Sequence, residues 1–477
     1  MKNYNFLSED LVRNKMNDTN LEYIAIYGLF GRYDIEFPFD KQVNIFIGEN
    51  GLGKTTILNC IYFVLSKKFG RLANIRFSSI EVKFKNNSKV YKITPSDIRK
   101  YSTSKRGSTI KYYQEEDLLR KHIIDNSMLY LDKMLNSADL DHELEFIIYD
   151  YARKYDMSLD AARKRIMHYF KEINDFEQKK GNENNVLSLI KEISNNVKER
   201  IIYLPTYRRI EDDFSSLNLR NDELNQKELL IRFGMSDVQS SIDRILEQIQ
   251  SLAMKGFREM TGVLLKQYAD GKDPIKENFS RNEYIRMDYN TVIIVLDRVG
   301  NEIERSDKEK ILKLVRSGGI REYNYLYLWN LINKLIDNYE LQKAYDDRIK
   351  RFAETCNKYL NDKHFDYNPS TLELDIYLDE NVKGRKYKLQ LTELSSGEKQ
   401  IVSLFSKLYL ESNEKSIVII DEPELSLSLQ WQKMLLPDIM RTENCRLLLT
   451  VTHSPFIFEN EFDFDAKDMR SYIKRTM

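Results

Sequence analysis

Gly48, Gly51, Gly53, Lys54 and Thr55 are spaced for holding phosphate: they spell G-x-x-x-x-G-K-T, with Glu49, Asn50, Leu52 and Thr56 completing the loop. The glycines leave room for backbone N–H groups to close around a triphosphate. A helix beginning near Lys54 points its positive dipole end at the same anion. The Lys54 ammonium then reaches the β- and γ-phosphates, and the Thr55 hydroxyl is a hard oxygen suited to Mg²⁺. A second stretch, SIVIIDE at 416–422, puts Asp421 and Glu422 at the end of an apolar, β-favouring run. Two carboxylates in that position need compensation, which bound Mg²⁺ supplies: Asp421 would hold the metal and Glu422 would polarise an attacking water.

These residues need elements to position them. Val43, Ile45 and Ile47 make a β-rich run before the glycine loop, and Ile57, Leu58, Cys60, Ile61 and Val64 recur at helical spacing after it. The order strand, loop, helix is the one a phosphate-binding loop requires. Upstream, residues 21–39 alternate around Gly28 and Gly31 and predict a hairpin, with Phe30 and Tyr33 near its bend, placed either beside an adenine or in the core. RLLLTV at 446–451 predicts a strand ending at Thr452, His453 and Ser454. A lone histidine there is ordinarily a satisfied polar residue, but this one follows the acidic strand at the spacing of the next sheet strand. In LSSGEKQ, Ser395 and Glu398 stand at capping-box spacing ahead of an amphipathic helix over 401–410, whose N-terminus is also an anion site.

Of 477 residues, 42% are hydrophobic and 31% charged, with Gly and Pro sparse at 17 and 8, which suits a helix-rich globular chain of several domains. Lys plus Arg and Asp plus Glu balance at 74 each, so no overall field recruits nucleic acid or an anionic membrane, and any such binding needs a local patch. Cys60, Cys356 and Cys445 lack metal-ligand spacing and an even pairing, and read as reduced thiols of a cytoplasmic protein. No apolar run approaches the roughly 18 residues of a membrane span, and the charged N-terminal stretch does not fit a signal peptide.

Elsewhere the spacing predicts a hairpin of 80–84 with 90–93 about Asn86, Asn87 and Ser88. Helices follow over 144–155 and 159–173, then a loop over 181–195. IIYLPTYRRIE at 201–211, with Arg208 and Arg209, reads as the chain returning briefly to the nucleotide domain. Met235, Val238, Ile242, Ile245, Ile249 and Leu252 form the seam of a helical arm, whose partner is a neighbouring helix. Residues 284–298 alternate like a strand, and Ser306 to Glu309 offers a capping box for a helix over 311–315 that ends at Gly318 and Gly319. Residues 322–360 are helical with Trp329, Leu331, Ile332 and Leu335 on an apolar face, and LELDIYL and KYKLQL are strands.

GENGLGKT, LSSGEKQ, IVIIDEPE and VTHSP, in that order, resemble the Walker A, signature, Walker B and H-loop motifs of ABC-type ATPases, in the SMC/RecF-like and OLD-like branch whose signature ends in Gly-Glu. The resemblance implies an α/β fold: a P-loop ABC-ATPase head built from residues 1–95 and 361–477, with a large, mainly helical insertion over 96–360 of which 201–214 returns to the head. It makes ATP the ligand, cradled by Gly48, Glu49, Asn50, Gly51, Leu52, Gly53, Lys54, Thr55 and Thr56, with Mg²⁺ on Thr55 and Asp421. Glu422 becomes the catalytic base and His453 the γ-phosphate sensor. Ser395, Ser396 and Gly397 would meet ATP held by an opposite subunit, so the chain would pair with itself as an ATP-sandwich dimer or higher oligomer. Two departures stand out: Glu424 to Leu429 reads ELSLSL where relatives often have ELSLHP, and no glutamine takes the Q-loop position, for which the YLPTYRR run is the substitute to examine.

The overall plan resembles ATPases of bacterial anti-phage defence modules, the AriA of PARIS and the PtuA of Septu. That implies a cytoplasmic sensor and regulator with a separate effector nuclease or toxin as partner, and DNA or a phage-encoded product as trigger. OLD nucleases carry a Toprim domain after the ATPase, and the residues that follow His453 are too few for one. Two other readings compete. An SMC/RecF-like DNA-binding ATPase of repair or maintenance would need a basic, aromatic-lined face. A transporter subunit would need a membrane partner chain.

Overall fold

In a computed structural model the described residues are 18–48, 51–101, 158–161, 163–164, 185–205, 234–270, 288–379, 386–411, 414–442 and 444–475. Glu49, Asn50, Arg208, Arg209 and the helix expected over 144–155 lie outside them, as does most of 159–173. In chain order the main elements begin with β1 (Leu21–Leu29), β2 (Tyr33–Pro38), β3 (Val43–Ile47), α1 (Lys54–Leu65), β4 (Ser79–Phe84) and β5 (Val90–Ile93). Next come α2 (Asn185–Asn196), β6 (Arg200–Leu204), α3 (Met235–Ala269), α4 (Tyr289–Arg298), α5 (Arg305–Ser317) and α6 (Leu326–Asn357). The chain closes with β7 (Lys363–Asn368), β8 (Glu373–Leu378), β9 (Lys388–Leu389), α7 (Ser396–Tyr409), β10 (Ser416–Asp421), α8 (Leu429–Met440), β11 (Cys445–Thr452), β12 (Ala466–Asp468) and β13 (Ile473–Arg475). Strands and helices alternate through a parallel sheet, so the α/β class expected from the sequence holds.

Two compact units result, one of Met1–Thr206, Glu414–Glu424 and Cys445–Met477, the other of Tyr207–Asn413 and Leu425–Asn444. The first holds two five-stranded sheets. One is parallel, in the order β12-β3-β11-β10-β6. Its central strands are apolar throughout because both faces are covered: all six residues of β10 are buried, and so are seven of the eight in β11. The β-run expected at 201 is β6, paired in parallel with β10 from Arg200 opposite Ser416. The other sheet is antiparallel, β13-β2-β1-β4-β5, and contains both hairpins expected from the sequence. Phe37 of β2 and Phe46 of β3 meet edge to face at 4.7 Å between the sheets. Helix α1 buries Ile57, Leu58, Ile61 and Val64, and its Tyr62 stacks on Tyr203 of β6 at 4.9 Å. The loop expected over 181–195 is overturned from Asn185 onward: α2 buries Val186, Leu189, Ile190 and Ile193 on one face, and helical spacing outweighs the polar Asn run that suggested a turn.

The second unit is mainly helical. Val238, Ile242, Ile245 and Ile249 of the predicted seam are all buried along the first half of α3, which packs on α6 and α7 of the same chain. The strand expected over 284–298 is instead α4 from Tyr289 onward. Asp288 caps it by accepting from the Thr291 N–H, and Val292, Val295 and Leu296 fall on one buried face. A β-branched run misleads where burial follows a helical period. The Ser306 capping box does not form, because α5 starts at Arg305 with Glu304, two residues before Ser306, as its N-cap. Gly318 ends α5 with φ 78°, as its position suggested. Trp329, Ile332 and Leu335 join one core cluster, but Leu331 faces solvent. Arg348 of α6 donates to the carbonyls of Tyr409 and Leu410 at 2.7 and 2.8 Å, supplying positive charge where the α7 dipole ends.

Candidate functional site

In a parallel sheet every C-terminal strand end lies on one edge, so β3, β11 and β10 deliver their following residues side by side. Ile47 stands opposite Thr452, and Val451 opposite Asp421. The next residues are Gly48 of the glycine loop, His453 and Glu422. Lys54 opens α1, is buried, and its Nζ meets Nε2 of His453 at 2.5 Å. The same Nε2 lies 3.7 Å from Oε1 of Glu422. Burial lowers the Lys54 pKa, while the carboxylates of Glu422, Asp421 and Glu424 pull it back up. One ammonium and three carboxylates therefore face one another at the sheet edge.

The backbone stores strain at the acidic end. Glu422 has φ 50°, in the left-handed region, which costs a residue with a Cβ roughly 1–2 kcal/mol. Its N–H donates to the Val451 carbonyl at 2.9 Å, holding the turn to the neighbouring strand. Asp421, the last residue of β10, is 2% exposed, and Thr55 is the second residue of α1. A hydroxyl and a carboxylate are the hard oxygen donors that Mg²⁺ accepts, so the donor set fits that ion.

Phe30 sits at the bend between β1 and β2 with its own φ at 55°. A Cβ on Gly53, whose φ is 77°, would lie 2.6 Å from the Phe30 ring. Glycine is thus required there by conformation, and a Cβ would also push the exposed Phe30 ring aside. Gly53→Ala is expected to weaken nucleotide binding about tenfold or more, since roughly 1–2 kcal/mol of left-handed strain adds to the clash. Titration with a fluorescent ATP analogue checks this, and unaltered affinity would refute the requirement.

Ser395, Ser396 and Gly397 belong to the second unit. The capping box expected there forms in both directions: the Ser395 side chain accepts from the Glu398 N–H, and Oε2 of Glu398 accepts from the Ser395 N–H at 2.8 Å. Lys363 holds the same carboxylate at 3.1 Å. Gly397 is buried, and a Cβ there would stand 2.5 Å from the Ser426 carbonyl oxygen, so glycine lets α7 start against that backbone. Ser395 and Ser396 are exposed.

Sequence reasoning gave Glu424 no role. It accepts from the His453 N–H at 2.7 Å and from the Thr452 hydroxyl at 2.8 Å, so it spans from the acidic loop to the histidine turn. The available signal was a third acid two positions after Glu422, at a spacing that carries it past Pro423. Asp465, of the Asp463-Phe464-Asp465 triplet near the C-terminus, pairs with Lys41 at 2.5 Å. Among the described residues no helix is long and apolar enough to cross a membrane.

Known proteins can be set beside this geometry. No curated protein matches the sequence. Among solved structures, an Smc head domain with an extended coiled coil, bound to the C-terminal domain of ScpA, from Pyrococcus furiosus is 12% identical with a TM-score of 0.35, covering 96% of this chain and 95% of that one. An SmcHead bound to the C-winged helix domain of ScpA is 10% identical at a TM-score of 0.33, over 96% of each chain. An Smc head with coiled coil and joint from Pyrococcus yayanosii is 16% identical at 0.28, over 92% and 93%. The family described as AAA ATPase domain matches residues 29–458, a span that contains the glycine loop, the acidic strand and the histidine turn. The chain belongs to the AAA ATPase domain family.

Proposed function

We propose that this chain is an ABC-type, Mg²⁺-dependent ATP hydrolase whose ATP-bound dimer or oligomer senses and regulates a separate effector, a nuclease or toxin, in anti-phage defence. The observation that carries the hydrolytic part is the meeting of Lys54, Glu422 and His453 where β3, β10 and β11 end, with Asp421 and Thr55 on the flanking elements. In this reading the loop from Gly48 to Thr56 encloses the phosphates, and Lys54 turns from His453 to the β- and γ-phosphates. Glu422 accepts a proton from the attacking water, and His453 contacts the γ-phosphate. Thr55 and Asp421 would hold Mg²⁺, which would supply charge neutralisation on the phosphate oxygens.

The regulatory part is supported by inventory. Helices α3 to α6 contribute none of the residues gathered at the strand ends, and a packed segment of that size is left to carry an interface. A γ-phosphate read by His453 and by Ser395 of an opposite subunit gives the differential affinity through which ATP shifts a conformational equilibrium. Functionally the head would comprise 1–95 and 361–477, with 201–214 returning to it, and the rest of 96–360 the interface.

The test is expression with and without the genomic neighbour, phage challenge, and assays of both purified proteins on ATP, DNA and RNA. Protection is expected to need both proteins and ATP turnover, with no nucleic-acid cleavage by this chain alone. Metal-dependent cleavage by this chain alone, lost when Asp463 and Asp465 are replaced, would overturn the division of labour. ATP-dependent DNA retention without an effector would favour the repair or maintenance reading.

A further inference from the structure

Glu424 leaves the loop after β10 and reaches the end of β11. Its two carboxylate oxygens take separate donors on one turn: Oε1 the backbone N–H of His453 at 2.7 Å, Oε2 the hydroxyl of Thr452 at 2.8 Å. Thr452 is fully buried, and its Oγ1 accepts from the Ser454 N–H at 3.0 Å, so the turn is gripped from both directions. The ring carried by that turn is the one that meets Lys54 at 2.5 Å and Glu422 at 3.7 Å. A hydrogen bond to a carboxylate is stronger and more directional than one between neutral groups.

We infer that Glu424 is the positioning residue for His453, holding its backbone so that the imidazole faces Lys54, Glu422 and the terminal phosphate. The inference rests on the hydrolytic reading for its effect on turnover, but not for the turn itself. Glu424 touches no reacting atom in this scheme and acts through the histidine.

Three measurements test it. The first is amide hydrogen exchange at His453 in the nucleotide-free protein, expected to be about tenfold or more faster in Glu424→Ala, where the acceptor is gone, and near wild type in Glu424→Gln. A glutamine keeps one oxygen for the His453 N–H and offers its NH₂ to the Thr452 hydroxyl. The second is kinetics: Glu424→Ala is expected to lower kcat about 10²-fold with little change in KM, as a misplacement near 1 Å does, and Glu424→Gln to recover most of it. The third is the cycle with His453→Ala, in whose background Glu424→Ala should cost less than about threefold, because groups acting as a unit are not additive. If the alanine variant does not fold, Glu424→Asp, too short to reach both donors, takes its place with the same expectations. Unchanged exchange at His453, or an equal loss with and without the histidine, would overturn the inference. A wild-type protein without ATP turnover would instead sink the hydrolytic reading, and exchange would still decide whether Glu424 holds the turn.

Discussion

Glu422→Gln is expected to reduce ATP turnover by about 10²- to 10⁴-fold while ATP remains bound. The substitution keeps the shape of the side chain and removes its ability to take a proton. Lys54 and the glycine loop, which would supply the binding, are left in place. The proposed base, Glu422, follows the last residue of β10, is pinned by its N–H to Val451, and brings its carboxylate to within 3.7 Å of His453. Its left-handed backbone is costly for a residue with a Cβ, and such strain is found where a side chain must be presented at a fixed angle. Single-turnover hydrolysis and nucleotide binding, measured on the same preparation, separate the two properties. Turnover equal to wild type would remove Glu422 from the mechanism, and loss of binding would mean that it holds the ligand instead.

Mixing a Lys54→Ala chain with a Ser395→Arg chain should restore one working site in mixed dimers of two inactive proteins. The expectation comes from the start of α7, an exposed helix N-terminus with Ser395 and Ser396 facing solvent and Gly397 closed off by the Ser426 backbone. An exposed helix start attracts an anion, and the family resemblance assigns it the γ-phosphate held by another subunit. One mutant chain then contributes an intact Ser395, the other an intact Lys54. Recovery is expected at up to half the wild-type turnover per dimer, since one of two composite sites is whole. No recovery in mixed dimers of verified composition would mean that Ser395 acts in its own subunit or serves only as the cap of α7.

Much of the site is legible in the sequence because its constraints are local. The glycine loop needs residues without side chains at set spacings, and a helix follows at Lys54. The acids must close an apolar strand, as Asp421 does, and the histidine must close the next one. Each of these is a short-range rule about strand, turn and helix, and each element forms where expected. The hairpin of β1 and β2 and the seam of α3 follow from the same periodicities. The errors fall where local signals conflict. In α4, β-branched residues suggested a strand, but burial of Val292, Val295 and Leu296 against α6 selects the helical period. In α2, asparagines suggested a turn, while four apolar residues on one face make a buried helix. At α5 a cap-like Ser306 lies inside the helix, because the chain enters it from Glu304.

Sequence alone determined the chemical classes present: a phosphate-binding loop, a paired acid at a strand end, and a histidine after the following strand. Only the tertiary structure decided which of them meet. The strand order β3-β11-β10 joins segments from opposite ends of the chain, and no periodicity encodes that order, since it follows from how the parallel strands share their buried faces. The same order brings Glu424 to the His453 turn, and the packing of the second sheet on the first brings Phe30 to Gly53. Those contacts depend on angles at single residues, Glu422 and Phe30 among them, whose left-handed backbones nothing in their side-chain types announces.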